Sequence, residues 1–174
     1  QQFSYFNENV VIAIDAPGFG GSQVVGNSMS ALANETAGLI RNLDLGPVII
    51  IGHSMGGMQA QIIASKYPDL CAGLVLSCTH KGHAHPFGTP LDEAVMERIH
   101  QRERMDDSAY GRIRIQKMLD RDIAPDIFSF LALVAGEVRV EGIISGGTAM
   151  HYIDTTSLLK RITAPVMILT GEMD

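Results

Sequence analysis

Two apolar patterns alternate along the chain. Residues 10–14 (VVIAI), 48–51 (VIII) and 166–170 (VMILT) are short, nearly continuous apolar runs rich in β-branched residues, and residues 74–76 centre another. Runs of this kind predict strands buried on both faces. Between them, Met29, Leu32, Ala33, Thr36, Ala37, Ile40 and Leu43 recur at helical spacing. Residues 55–67 predict a second helix, ended by Pro68. The turn-rich segment 15–22 (DAPGFGGS) and Gly46-Pro47 punctuate the series. Strands alternating with helices predict an α/β protein, a mostly parallel sheet with helices on both faces.

Residues 82–153 break the rhythm. They carry no convincing strand pattern and at least three helical ones, over 91–105, 108–119 and 126–135, with Pro125 at the first turn of the last. An insertion of this length between two sheet strands predicts a helical cap. The expected organisation is a core over residues 1–81, a cap over 82–153 and a core continuation over 154–174.

Composition narrows the function classes. A chain of 174 residues with 46% hydrophobic and 18% charged residues can bury one sizeable core. A net charge of −6 argues against a nucleic-acid partner, which requires a basic face. The longest nearly apolar stretch, residues 127–136, is about half the ~20 residues that span a bilayer, so no membrane partner is expected. The first residue is Gln1, so the natural N-terminus is expected upstream; without a visible targeting segment the expected location is cytoplasmic. Cys71 and Cys78 bracket an apolar run whose extended length, roughly 23 Å at ~3.3 Å per residue, is too long for a disulfide.

The chemistry concentrates at Gly52-His53-Ser54-Met55-Gly56, a G-x-S-x-G sequence between the VIII strand and a helix. A serine on a sharp strand-to-helix turn holds a strained backbone and projects its Oγ above the sheet edge. The expectation is that side chains at Gly52 and Gly56 would collide in such a turn. The Met55 amide, at the helix N-terminus, is the expected oxyanion donor.

Taken in order, DAPGFGGS, IIIGHSMGG and PVMILTGEMD resemble the α/β-hydrolase superfamily, most closely the 3-oxoadipate enol-lactonase and small carboxylesterase branch. The resemblance implies a Ser-acid-His triad with Ser54 as nucleophile and Asp174, in a G-x-x-D pattern, as the acid. It implies that the histidine follows Asp174, and that the strand bearing the second oxyanion donor precedes residue 10. The chain then reads as an internal fragment, incomplete at both ends and inactive alone. The missing strand would leave residues 10–14 and 48–51 without direct pairing.

Other signals are weaker. His80, His83 and His85 follow the third strand, but no Asp or Glu lies between His80 and His85. They read as a solvated loop at the pocket mouth, with His80 a possible substrate contact and no metal expected. His53 is expected to pack beside the strand; His100 and His151 are expected to be solvated or partly packed. Gly18 and Gly20 lack the third glycine of a dinucleotide site, where Gln23 stands, and Met58 occupies the P-loop lysine position. No cofactor is implied. The expected activity is hydrolysis of a small-molecule ester or lactone through an acyl-enzyme. The alternatives are a C–C bond hydrolase, a cofactor-free haloperoxidase or perhydrolase, and a non-catalytic ligand receptor. No feature of the sequence bears on oligomeric state.

Overall fold

In the computed structural model, residues 5–119 and 123–172 are described. Helix α1 (Met29–Asn42) starts where the Ser28 hydroxyl accepts the Ala31 N–H at 3.1 Å, a side-chain cap for an otherwise orphaned donor. Strand β1 (Val48–His53) leads directly into α2 (Met55–Lys66). A single 3-10 turn, Pro68–Leu70, precedes β2 (Cys71–Ser77). Helices α3 (Glu93–Arg104), α4 (Asp107–Met118), α5 (Pro125–Gly136) and α6 (Val140–Tyr152) follow, then the short α7 (Thr156–Leu159) and β3 (Val166–Leu169).

The three strands are parallel in the order β1-β2-β3, with Gly52 opposite Leu76 and Leu76 opposite Ile168. Helix α2 lies between the sheet and α1. Its Met58, Ile62 and Ile63 meet Leu32, Ala33 and Ile40 of α1, while Ala60 and Ala64 meet Leu74 and Leu76 of β2. Alanines on the sheet-facing side let the helix sit close to the strands. Burial of each large aliphatic side chain contributes roughly 1.5–3 kcal/mol, so this two-sided packing of α2 is what fixes the turn at its N-terminus.

Three features differ from the sequence expectation. Residues 10–14 form no strand: they pair with nothing in the sheet, and Val10 is 87% exposed. A strand exists only through its ladder, and the described residues provide no neighbour there. Residues 10–14 make no direct ladder with β1. Secondly, the alternate face of β1 is uncovered, with Ile49 and Ile51 at 69% and 62% exposure. Helices pack on one face of these three strands. Thirdly, residues 82–153 contain a fourth helix, α6, which the patterns above do not single out. Among the described residues, no helix is long and apolar enough to cross a membrane.

Helix α6 is the link between the inserted helices and the sheet. A Cβ on its Gly142 would meet the Gly18 carbonyl oxygen at 2.3 Å, and one on Gly146 would meet Met55 Sδ at 2.9 Å. Ser145 Oγ, fully buried, donates to the Gly26 carbonyl at 2.6 Å. Small residues on one face of the helix allow its backbone to approach the loop 15–26 and the start of α2 together.

Candidate active site

Ser54 sits between β1 and α2 with φ 50° and ψ −120°. A positive φ on a non-glycine residue is costly, of order 1–3 kcal/mol, and persists only where surrounding contacts over-determine it. Those contacts are present. The Ser54 N–H extends the β1–β2 ladder to the Ser77 carbonyl at 3.0 Å, and its own carbonyl accepts the Gly57 N–H at 2.9 Å. Thr79 Oγ1 donates to the same carbonyl at 2.6 Å. The residue is exposed at the C-terminal edge of the sheet, and among the described residues no hydrogen bond reaches its hydroxyl. This is the elbow expected from G-x-S-x-G.

The glycines around it have unequal roles. A Cβ at Gly52 would lie 2.5 Å from the Gly56 oxygen and 2.7 Å from Gly57 Cα, backbone atoms that cannot swing away. At Gly56 a Cβ would meet nothing within 4 Å. The steric reason expected for Gly56 is therefore corrected, because that position faces outward from the turn. Gly57 carries the constraint instead: its Cβ would fall 2.4 Å from Thr79 Oγ1.

Met55 is the first residue of α2, so its N–H belongs to the orphan donors of a helix N-terminus, and the helix dipole adds partial positive charge there. Its side chain turns towards Gly146 of α6. Sequence reading missed this contribution of α6, although glycines at 142 and 146, one helical turn apart, are a legible sign of close approach.

Asp174 lies outside the described residues. His80 is exposed; its Nδ1 accepts the Gly82 N–H at 3.1 Å, which leaves the ring proton on Nε2. His53 is exposed, with Nδ1 3.2 Å from Ser77 Oγ. One histidine expectation is corrected and another is extended. His151 is 1% exposed, not solvated. His83 and His85 do keep solvent contact, but the expectation is incomplete: their donor atoms, with those of Asp92 and His151, all lie within 4.8 Å of one another. The carboxylate comes from beyond the histidine run and the third imidazole from α6, two positions that local sequence could not bring together. The His83 hydrogen bond chiefly holds the Asp92 carboxyl below the usual range; partial burial opposes this, and His151 and His85 reinforce it.

Known proteins share this fold. A family profile described as the alpha/beta hydrolase fold matches residues 8–127. A poly(3-hydroxyalkanoate) depolymerase from Ectopseudomonas oleovorans is 43% identical over 94% of this chain, which spans 58% of that protein's length. A thermophilic esterase from Thermogutta terrifontis superposes with a TM-score of 0.69 at 29% identity, covering 90% of this chain and 59% of the esterase. The enol-lactonase from Burkholderia xenovorans LB400 superposes with a TM-score of 0.70 at 18% identity over 90% of this chain and 60% of its own. The strained serine between a parallel strand and its helix, and the match over most of the chain, place this protein in the alpha/beta hydrolase fold family.

Proposed function

We propose that the protein is a serine hydrolase that cleaves an ester through an acyl-enzyme, with Ser54 as its nucleophile. The single observation that carries this reading is the backbone of Ser54, at φ 50° and ψ −120° on the sheet edge. A non-catalytic receptor has no need to keep a strained, exposed serine there.

Ser54 Oγ attacks the ester carbonyl carbon as its proton passes to a histidine, and the carbonyl oxygen becomes an oxyanion within reach of the Met55 N–H. Collapse breaks the ester C–O bond, and the alcohol leaves with the proton from the histidine. Water, deprotonated by the same histidine, then releases the acid and restores the serine. Asp174 holds the imidazole in the required tautomer, and the histidine follows it in chain order, as the superfamily resemblance implies. His80, exposed with a proton on Nε2, is the proposed substrate contact. The division into core 1–81, cap 82–153 and continuation 154–174 is supported by the four helices, α3 to α6, that lie between β2 and the short α7. Likeness to the depolymerase makes esters of 3-hydroxyalkanoates the substrate class proposed here.

The test uses the complete protein that contains this chain. Fluorophosphonate should label it at Ser54, and Ser54→Ala should abolish labelling and lower hydrolysis of 3-hydroxyalkanoate oligomers by roughly three orders of magnitude or more. Labelling that survives Ser54→Ala refutes the assignment. Retained labelling without turnover of these oligomers refutes only the substrate class.

A further inference from the structure

We propose that His83, His85, Asp92 and His151 form a structural binding site for one zinc ion, which ties the segment after β2 to the end of α6. Three imidazoles and one carboxylate are a complete tetrahedral ligand set for zinc, with no position left over for substrate. Their donor atoms already converge. Asp92 Oδ2 lies 2.8 Å from His83 Nδ1 and 3.3 Å from His151 Nδ1, and Asp92 Oδ1 lies 3.3 Å from His85 Nε2. Ligand atoms around a tetrahedral zinc with bonds of about 2.0–2.1 Å stand roughly 3.3 Å apart. Adjustments of about an ångström would admit the ion.

The hydrogen bonds around His151 leave its Nδ1 facing the cluster. Thr89 Oγ1 lies 2.8 Å from the Pro86 carbonyl, which can only accept, so the hydroxyl proton is committed there. His151 Nε2, 3.0 Å from the same hydroxyl oxygen, must then be the donor. Nδ1 is then left to hold either a proton or a metal ion. This atom is buried without a hydrogen bond and faces the Asp92 carboxylate. Beside the carboxylate this atom needs either a proton or a metal ion between them, and the convergence of two further imidazoles on the same carboxylate favours the metal. The Nε2–H contact to Thr89 is the outer-sphere arrangement that orients a metal-bound imidazole.

Asp92 supports the same reading. It occupies the N-cap of α3, where an aspartate side chain ordinarily accepts a helix N–H, yet it makes no side-chain cap bond. Its carboxylate is turned to the imidazoles instead. The frame around them is set by backbone: His83 N–H donates to the Met150 carbonyl and His85 N–H to the His151 carbonyl, each at 3.0 Å. Gly82 makes this approach possible, since a Cβ there would meet the Ile153 oxygen at 2.1 Å.

The experiment titrates the chelator-treated complete protein with Co2+, whose visible absorption distinguishes tetrahedral from octahedral coordination, and then with Zn2+. Expected are one equivalent of tetrahedral Co2+, displacement by one equivalent of Zn2+, and a higher Tm with Zn2+ bound. His83→Gln and His85→Gln, at side chains 37% and 41% exposed, should remain folded by circular dichroism and weaken Co2+ binding at least about tenfold. The exposed His100→Gln should leave binding unchanged. Absence of a tetrahedral spectrum, or an identical titration in His83→Gln and His85→Gln, overturns the site and leaves a cluster held by protons alone. None of these readouts depends on Ser54.

Discussion

Thr79 Oγ1 donates a 2.6 Å hydrogen bond to the carbonyl of Ser54, tying the segment after β2 to the turn that ends β1. The hydroxyl therefore holds the serine's strained backbone from outside the motif. Thr79→Val keeps the shape and removes the bond. The expected loss is about 1 kcal/mol, a Tm decrease of roughly 2–4 °C, with slower fluorophosphonate labelling of Ser54. Thermal unfolding indistinguishable from the parent would show that the bond does not support the turn.

The two glycines flanking Ser54 in the motif should respond oppositely to alanine. Gly52→Ala drives a Cβ to 2.5 Å from a backbone oxygen, and should cost more than about 3 kcal/mol or prevent folding. Gly56→Ala enters open space within α2, where alanine favours the helix by up to about 1 kcal/mol. Chemical denaturation of both variants checks this. A Gly56→Ala protein as damaged as Gly52→Ala would refute the steric distinction.

Thr155 and Gln61 form a fully internal polar pair, 0% and 3% exposed, with Thr155 Oγ1 donating to Gln61 Oε1 at 2.5 Å. It joins α2 to the segment before α7. Thr155→Val leaves the amide oxygen buried without that donor, at an expected cost of about 1–3 kcal/mol. A shift in the urea midpoint with an unchanged slope is the expected signature.

Burial pushes the Cys71 thiol above its ordinary pKa, while Cys78 is partly exposed. A raised pKa means less thiolate at any given pH, and thiolate is the species that alkylates. Iodoacetamide at neutral pH should modify Cys78 first, with Cys71 reacting only after denaturation. Mass spectrometry of the native protein that finds Cys71 alkylated first would contradict this.

Much of the fold was legible because it is written locally. The apolar run 48–51, the helical spacing from Met29 to Leu43 and Pro68 after the second helix each correspond to an observed element. G-x-S-x-G placed Ser54 on a strained turn for the same reason: the conformation is decided within a few residues, and Gly52 reports it. Residues 10–14 show the limit of that logic. Their β-branched composition favours extension, but a strand also needs a neighbour, and pairing is not a property of the run itself.

Tertiary structure decided what depended on distant partners. Gly57, not Gly56, is the crowded glycine because Thr79 arrives from beyond β2. Helix α6 reaches Met55 and Gly18 because its glycines remove the side chains that would hold it away. His83 and His85 looked like solvated loop residues while only their neighbours in sequence were considered. Asp92 from the start of α3 and His151 from α6 complete their surroundings, and chain folding alone brings those donors within 4.8 Å. Local periodicity reports backbone preference, whereas the chemistry of a cluster depends on which side chains meet, and that is fixed only when helices pack.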